Sequence, residues 1–177
     1  MTRKLLFVLT LISFMSFRAQ EKYSLEEIRR DFQGIEDEDD IERLLAREVD
    51  SNAPEAIRVM AYQAAGTCMM AEYVFSPIKK LKYFNEGKES LERTIEKEKS
   101  VESVYCRLLV QLNVPRILNY HQHIEEDIEF LQAELPKAEI DPEYKQTMIR
   151  NLVTLAGKDE LKQSLLGIDL SGGNEKS

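Results

Sequence analysis

The chain has 177 residues, 43% of them apolar, and sets 24 basic against 32 acidic residues for a formal net charge of −8. That length and apolar content suffice for one sizeable core, so a single domain is expected, and the acidic balance opposes nucleic-acid binding, which rests on neutralising phosphates. Only seven Gly and five Pro interrupt a sequence rich in Leu, Glu, Lys, Ile, Ala and Arg and sparse in Val and Thr, which predicts an all-α fold with no sheet.

Arg3 and Lys4 precede an uncharged run from Leu5 to Phe17, followed by Arg18-Ala19-Gln20-Glu21. A charged start, an apolar middle and a small residue near the end are the layout of a secretory signal peptide over residues 1–19, with cleavage after Ala19. The run falls short of the about 20 apolar residues that cross a bilayer, and no later stretch reaches that length. The expected mature chain is therefore periplasmic or secreted, with one helical domain over residues 20–168 and a disordered polar tail over 169–177. Losing Arg3, Lys4 and Arg18 makes it more acidic still.

Ser24-Leu25-Glu26-Glu27 has the spacing of a capping box, and Leu25, Ile28 and Phe32 share one face of a helix ending near Gly34. The run Glu36-Asp37-Glu38-Asp39-Asp40 lacks the alternating oxygen ligands and glycine turn of a calcium loop. Acids suit a helix N-terminus, and Ile41, Leu44, Leu45 and Val49 mark that helix. Pro54 stands where the first turn of a long central helix tolerates it. From Val59 to Ala71 there is no charge, so this helix should be covered on several sides and form the centre of the core.

Ser76-Pro77 starts the next helix, with Ile78, Leu81, Phe84, Leu91 and Ile95 at helical spacing and Gly87 inside it. An internal Gly costs a helix about 1 kcal/mol against Ala, which predicts a close backbone contact there. Ser100 caps a helix carrying Val101, Val104, Tyr105, Leu108, Leu109 and Leu112, which must stop near Asn113-Val114-Pro115. Asn119-Tyr120-His121-Gln122 has the spacing of another capping box, ahead of Ile124, Ile128, Leu131 and Leu135. Asp141-Pro142 opens a helix with Tyr144, Met148, Leu152 and Leu155 on one face and Gly157 as its C-terminal cap. Leu161, Leu165 and Leu166 form a last short helix.

Short turns between these helices favour stacked antiparallel helix hairpins. Tyr62, Ala65, Gly66 and Met69 resemble the first-helix signature of a tetratricopeptide repeat, and Gly87 with Leu91 resembles the small-then-large pair of its second helix. Tyr105 and Leu108 begin the theme again, with Leu109 in place of the small residue and no Pro closing the unit after Lys99. The resemblance spans Pro54 to about Leu135 and implies a short TPR-like α-solenoid, a fold that presents an extended concave surface to a protein or peptide. The order of the leader, the AYQAAG helix, SPIKKLKYFNEGK and NVPRILNYHQHIEEDIEF also resembles a set of small exported proteins of Bacteroidetes-type bacteria.

Lys79, Lys80, Lys82 and Lys88 stand out in an acidic chain, with Glu86 the only acid between Pro77 and Lys88. Helical spacing gathers their ammonium groups on adjoining faces. Together with Tyr83, Arg107 and Tyr120 they form a candidate groove for an acidic protein or peptide segment; the competing reading is a solvated face whose lysine stems cover apolar surface. His121 and His123 sit two apart and diverge by about 200° on a helix, so they do not easily share one metal ion; each should face the acid four residues on, Glu125 or Asp127. Cys68 and Cys106 would meet oxidising conditions after export. Their phases relative to Tyr62 and Tyr105 differ by about 140°, which favours two buried thiols over a bridge. Met60, Met69 and Met70 read as core filler.

No Gly-rich phosphate loop, nucleophile elbow, paired-histidine zinc motif or Cys-X-X-Cys is present, so no cofactor is implied. The expected function is that of an exported, non-enzymatic binding module of the cell envelope. The alternatives are a small metal-dependent or hydrolytic enzyme and a structural envelope subunit.

Overall fold

The computed structural model describes residues 24–170. The expected leader and most of the expected tail lie outside the described residues. Among the described residues eight α-helices follow one another: α1 (Leu25–Gln33), α2 (Glu38–Leu45), α3 (Ala56–Tyr73), α4 (Pro77–Lys97), α5 (Val101–Asn113), α6 (Ile124–Glu134), α7 (Pro142–Leu155) and α8 (Asp159–Leu166), with a 3-10 turn at Arg116–Leu118. Among the described residues there is no strand, and the fold is all-α as the composition predicts.

Local chemistry sets most of the boundaries. Ser24 and Glu27 form the reciprocal cap, the Ser24 N–H donating to Glu27 Oε2 at 2.8 Å and the Glu27 N–H to Ser24 Oγ at 3.3 Å. The acidic run opens a helix, with Asp37 as the cap and Glu38, Asp39 and Asp40 in the first turn of α2, where the positive end of the helix dipole favours them. Ser76 caps α4 with Pro77 at its first position, and Ser100 caps α5.

Four boundaries differ from the sequence reading. The α2 helix ends at Leu45, so Val49 packs on the core from beyond it. Pro54 lies in the turn ahead of α3, which starts at Ala56 without a side-chain cap. The expected box at Asn119 does not form: Asn119 adopts φ 48° and closes the 3-10 turn, its carbonyl accepting from Gln122 Nε2 at 2.5 Å, and α6 starts only at Ile124. Asn tolerates the left-handed region better than most residues, and here that ends one turn instead of starting the next helix. Helix α7 is capped by extended Ala156, leaving Gly157 exposed.

The odd-numbered helices pack in chain order, α1 on α3, α3 on α5 and α5 on α7, while α1/α2, α3/α4, α5/α6 and α7/α8 are each neighbours. Tyr62, Tyr105, Leu91, Leu108, Leu131 and Met148 are fully enclosed in the resulting core. Helix α5 is the most enclosed: every residue from Val101 to Leu108 is buried, whereas α3 leaves Gln63, Thr67 and Met69 partly open. The expected central role of α3 is therefore shared with α5. Ile168 is buried and Leu170 packs against the core, so the ordered packing continues past the expected end at residue 168.

Helices α3 and α4 come into tight contact at Gly87. A Cβ there would lie 2.5 Å from Cys68 Sγ and 2.7 Å from both the Ala64 carbonyl oxygen and the Cys68 amide nitrogen, so only glycine fits. Cys68 and Cys106 are both free and buried. Burial pushes the Cys68 thiol up to about 12 and raises that of Cys106 well above its ordinary value.

Candidate binding groove

Two polar networks frame the interior. The first is a seam along the odd-numbered helices. Arg29 of α1 donates from Nε to Glu102 Oε1 of α5 at 2.8 Å, and the Tyr62 hydroxyl of α3 reaches the same oxygen at 3.2 Å. Arg58 NH1 approaches the other oxygen at 3.8 Å. Tyr62 and Tyr144 share a hydroxyl contact of 2.9 Å, and Gln33 Nε2 donates to Tyr105 at 3.2 Å and to Tyr144 at 3.4 Å. Asn151 Nδ2 completes the seam, donating to Gln33 Oε1 at 2.7 Å and to the Tyr105 hydroxyl at 2.9 Å.

Burial raises the phenols of Tyr62, Tyr105 and Tyr144, so they stay protonated as hydrogen-bonding groups. Glu102, almost wholly enclosed, is shared among Arg29, Arg58 and Tyr62. Apart from the buried Arg58 Nε, which has no hydrogen-bond partner among the described residues, the network is paired and ties four helices into one arrangement.

The second network ties α4, α5 and α6. Arg107 grips Asp127 with two bonds, Nε to Oδ2 at 2.8 Å and NH2 to Oδ1 at 2.5 Å, and its NH1 donates to Glu92 Oε2 at 3.0 Å. The Tyr120 hydroxyl donates to Glu92 Oε1 at 2.5 Å, and Lys88 Nζ stands 5.1 Å from the Tyr120 ring centre. A planar guanidinium suits this two-pronged grip on a carboxylate.

Beside these networks an open groove of about 890 Å³ is lined by residues of α1, α3, α4, α5, the 3-10 turn and α7. Ala65 and Cys68 of α3 and Val110 of α5 lie deep in it and are buried, while Leu81 is 48% and Ile117 90% exposed at its mouth. Phe75 and Ile78, close in sequence to the mouth residues Pro77 and Leu81, are 100% and 81% exposed. Large apolar side chains left in water around an apolar trough mark an interaction surface.

Of the seven sequence-predicted binding residues, Lys80 lines the groove. Lys79 is exposed beside it, and neither lysine has an ion pair among the described residues. Lys82 faces Glu86 at 3.8 Å, one turn along α4, and Tyr83 is half-buried. Lys88, Arg107 and Tyr120 belong together, in the second network, where Arg107 and Tyr120 are buried and committed to internal partners. The structure therefore separates the set into a cationic stretch at the groove mouth and a buried brace behind it.

His123 Nδ1 meets Glu126 Oε2 at 3.1 Å, three residues on, instead of Asp127, which Arg107 holds. Among the described residues no group of three or more His, Cys, Asp or Glu is placed to hold a metal ion.

Gln33 and Asn151 line the groove and escaped the sequence reading. Asn151 carried a signal, since it lies seven residues after Tyr144 on the apolar face of α7, where a polar side chain has to find a buried partner. Ile117 and Leu118 carried none: apolar residues in a connector look alike whether they cover a core or rim a groove. Comparison with protein-family models, with curated proteins and with solved structures finds no match for the chain.

Proposed function

We propose that the chain is an exported, non-enzymatic binding module of the cell envelope, a short solenoid of helix hairpins that holds a protein or peptide segment in its groove. The observation that carries this reading is the apolar trough whose mouth leaves Leu81 and Ile117 in solvent. Exposed side chains at the rim widen the contact beyond the trough itself, which suits a polypeptide better than a compact small molecule. The chain-order packing of the odd helices supports the solenoid reading, because each hairpin then buries its face on the next. The leader-like start supports export.

The test is selection of peptides from a displayed library on the purified chain, followed by titration against an Ile117→Glu variant. Ile117 is 90% exposed, so the substitution leaves the core intact. Selected peptides should lose about tenfold or more in affinity, since a charge is placed against an apolar contact. Peptides that bind both chains equally would remove the groove as the binding site.

A further inference from the structure

We infer that the groove receives an amphipathic α-helix with carboxylates along one flank, an inference that rests on the binding reading above and names its occupant. An extended peptide must find partners for its own N–H and C=O groups, commonly at a sheet edge. Among the described residues there is no strand, and Gln33, Glu72, Asn113, Asn151 and Thr154 in the groove lining are already bonded, Lys80 being the exception. Gln33 and Asn151 bond each other and Tyr105, and Asn113 Nδ2 donates to Glu72 Oε1 at 2.8 Å. A helix satisfies its backbone internally and asks the groove only for apolar contact.

Lys80 lines the groove on the α4 side with exposed Lys79 next to it in sequence, and exposed Arg116 stands between the lining residues Pro115 and Ile117; none of the three has an ion pair among the described residues. In a chain of net charge −8, a lining lysine with two further cations next in sequence to lining residues is a local excess of positive charge. The groove also holds Glu72, which accepts from the neutral Asn113 amide and keeps its charge, so the cations exceed it rather than stand alone. Acidic residues on the incoming helix would complement these cations, while basic ones would be repelled.

The experiment uses the purified chain and three synthetic helices of about 14 residues, four turns long, with one Leu/Ile face and flanks of Glu, Gln or Lys. Binding is read by fluorescence anisotropy at two salt concentrations. The Glu helix should bind about tenfold or more tighter than the Lys helix, and the margin should shrink as salt rises. The Lys79→Glu/Lys80→Glu variant should reverse the preference, and Ile117→Glu should weaken all three helices.

Equal binding of the Glu and Lys helices would remove the acidic flank while leaving the groove reading in place. Binding of library-selected extended peptides but of no helix would overturn the helical occupant. Failure of every peptide would overturn both readings. A chain that sediments as a dimer and is split by Ile117→Glu would make a second copy the occupant, and groove-dependent sedimentation with anionic lipid vesicles in place of peptide would assign it to a membrane; either result overturns the inference.

Discussion

Helix α4 divides at Gly87 into two halves that dispose of similar side chains in opposite ways. Beyond Gly87, Leu91 and Thr94 are buried, and Glu92 is held by both Arg107 and Tyr120. Before it, Phe84 is buried, but Ile78 stands largely in water, Leu81 is half-exposed, and Lys79 and Lys80 have no ion pair among the described residues. The same helical period runs through both halves, so the periodicity of apolar residues reports only that a face exists and not whether this chain covers it. The C-terminal half is part of the scaffold; the first turns of the N-terminal half, ahead of Phe84, are held out toward the solvent by it.

Breaking the scaffold half should have the largest effect. Arg107→Ala strips Asp127 of its two-pronged partner while that carboxylate is fully buried, and the loss should be about 3–5 kcal/mol in urea unfolding. Leu91→Ala, at a site with no exposure, should cost about 2–5 kcal/mol by the same measurement. Gly87→Ala comes next, at about 1–3 kcal/mol, because the new methyl overlaps backbone as well as Cys68 Sγ. Adding Cys68→Ala should recover only part of that loss, since the Ala64 carbonyl remains in the way; full recovery would show that the thiol alone sets the spacing.

The exposed half should respond little. Ile78→Ser should shift stability by less than about 0.5 kcal/mol, and a cost near that of Leu91→Ala would erase the contrast between the halves.

The smallest effect is electrostatic. Hydrogen bonds from Lys99 and then His123 hold the Glu126 carboxyl at about 2, below its ordinary 4.5. A depressed carboxyl stabilises the fold above the unfolded value and loses that contribution as pH falls through the folded one. Melting temperature should therefore decline slightly more between about pH 4.5 and 2 in the native chain than in Glu126→Gln. The pair is exposed, so the difference is small.

Much of the scaffold is legible in the sequence because it is local. Ser24, Ser76 and Ser100 announce three helices through their own hydrogen bonds, and Gly87 announces a close crossing through the absence of a side chain. The failures have a common cause. Asn119 followed a capping pattern by spacing alone, and Pro115 and the 3-10 turn ahead of it settled the backbone differently. Arg107 and Tyr120 looked like surface recognition residues beside the lysines, yet Asp127 and Glu92, reached only through tertiary contact, draw them inward. The groove depends on which apolar residues stay uncovered, and that is a property of the finished packing of six elements, not of any one segment.

The tight crossing at Gly87 also acts as a fulcrum. Leu81 lies six residues away, about 9 Å along the helix axis at 1.5 Å per residue, so a tilt of about 5° between α3 and α4 moves the rim by somewhat less than an ångström. Side chains at the crossing thereby set the span between the jaws above it, and a bulkier residue there would retune what the mouth can grip without touching the mouth itself.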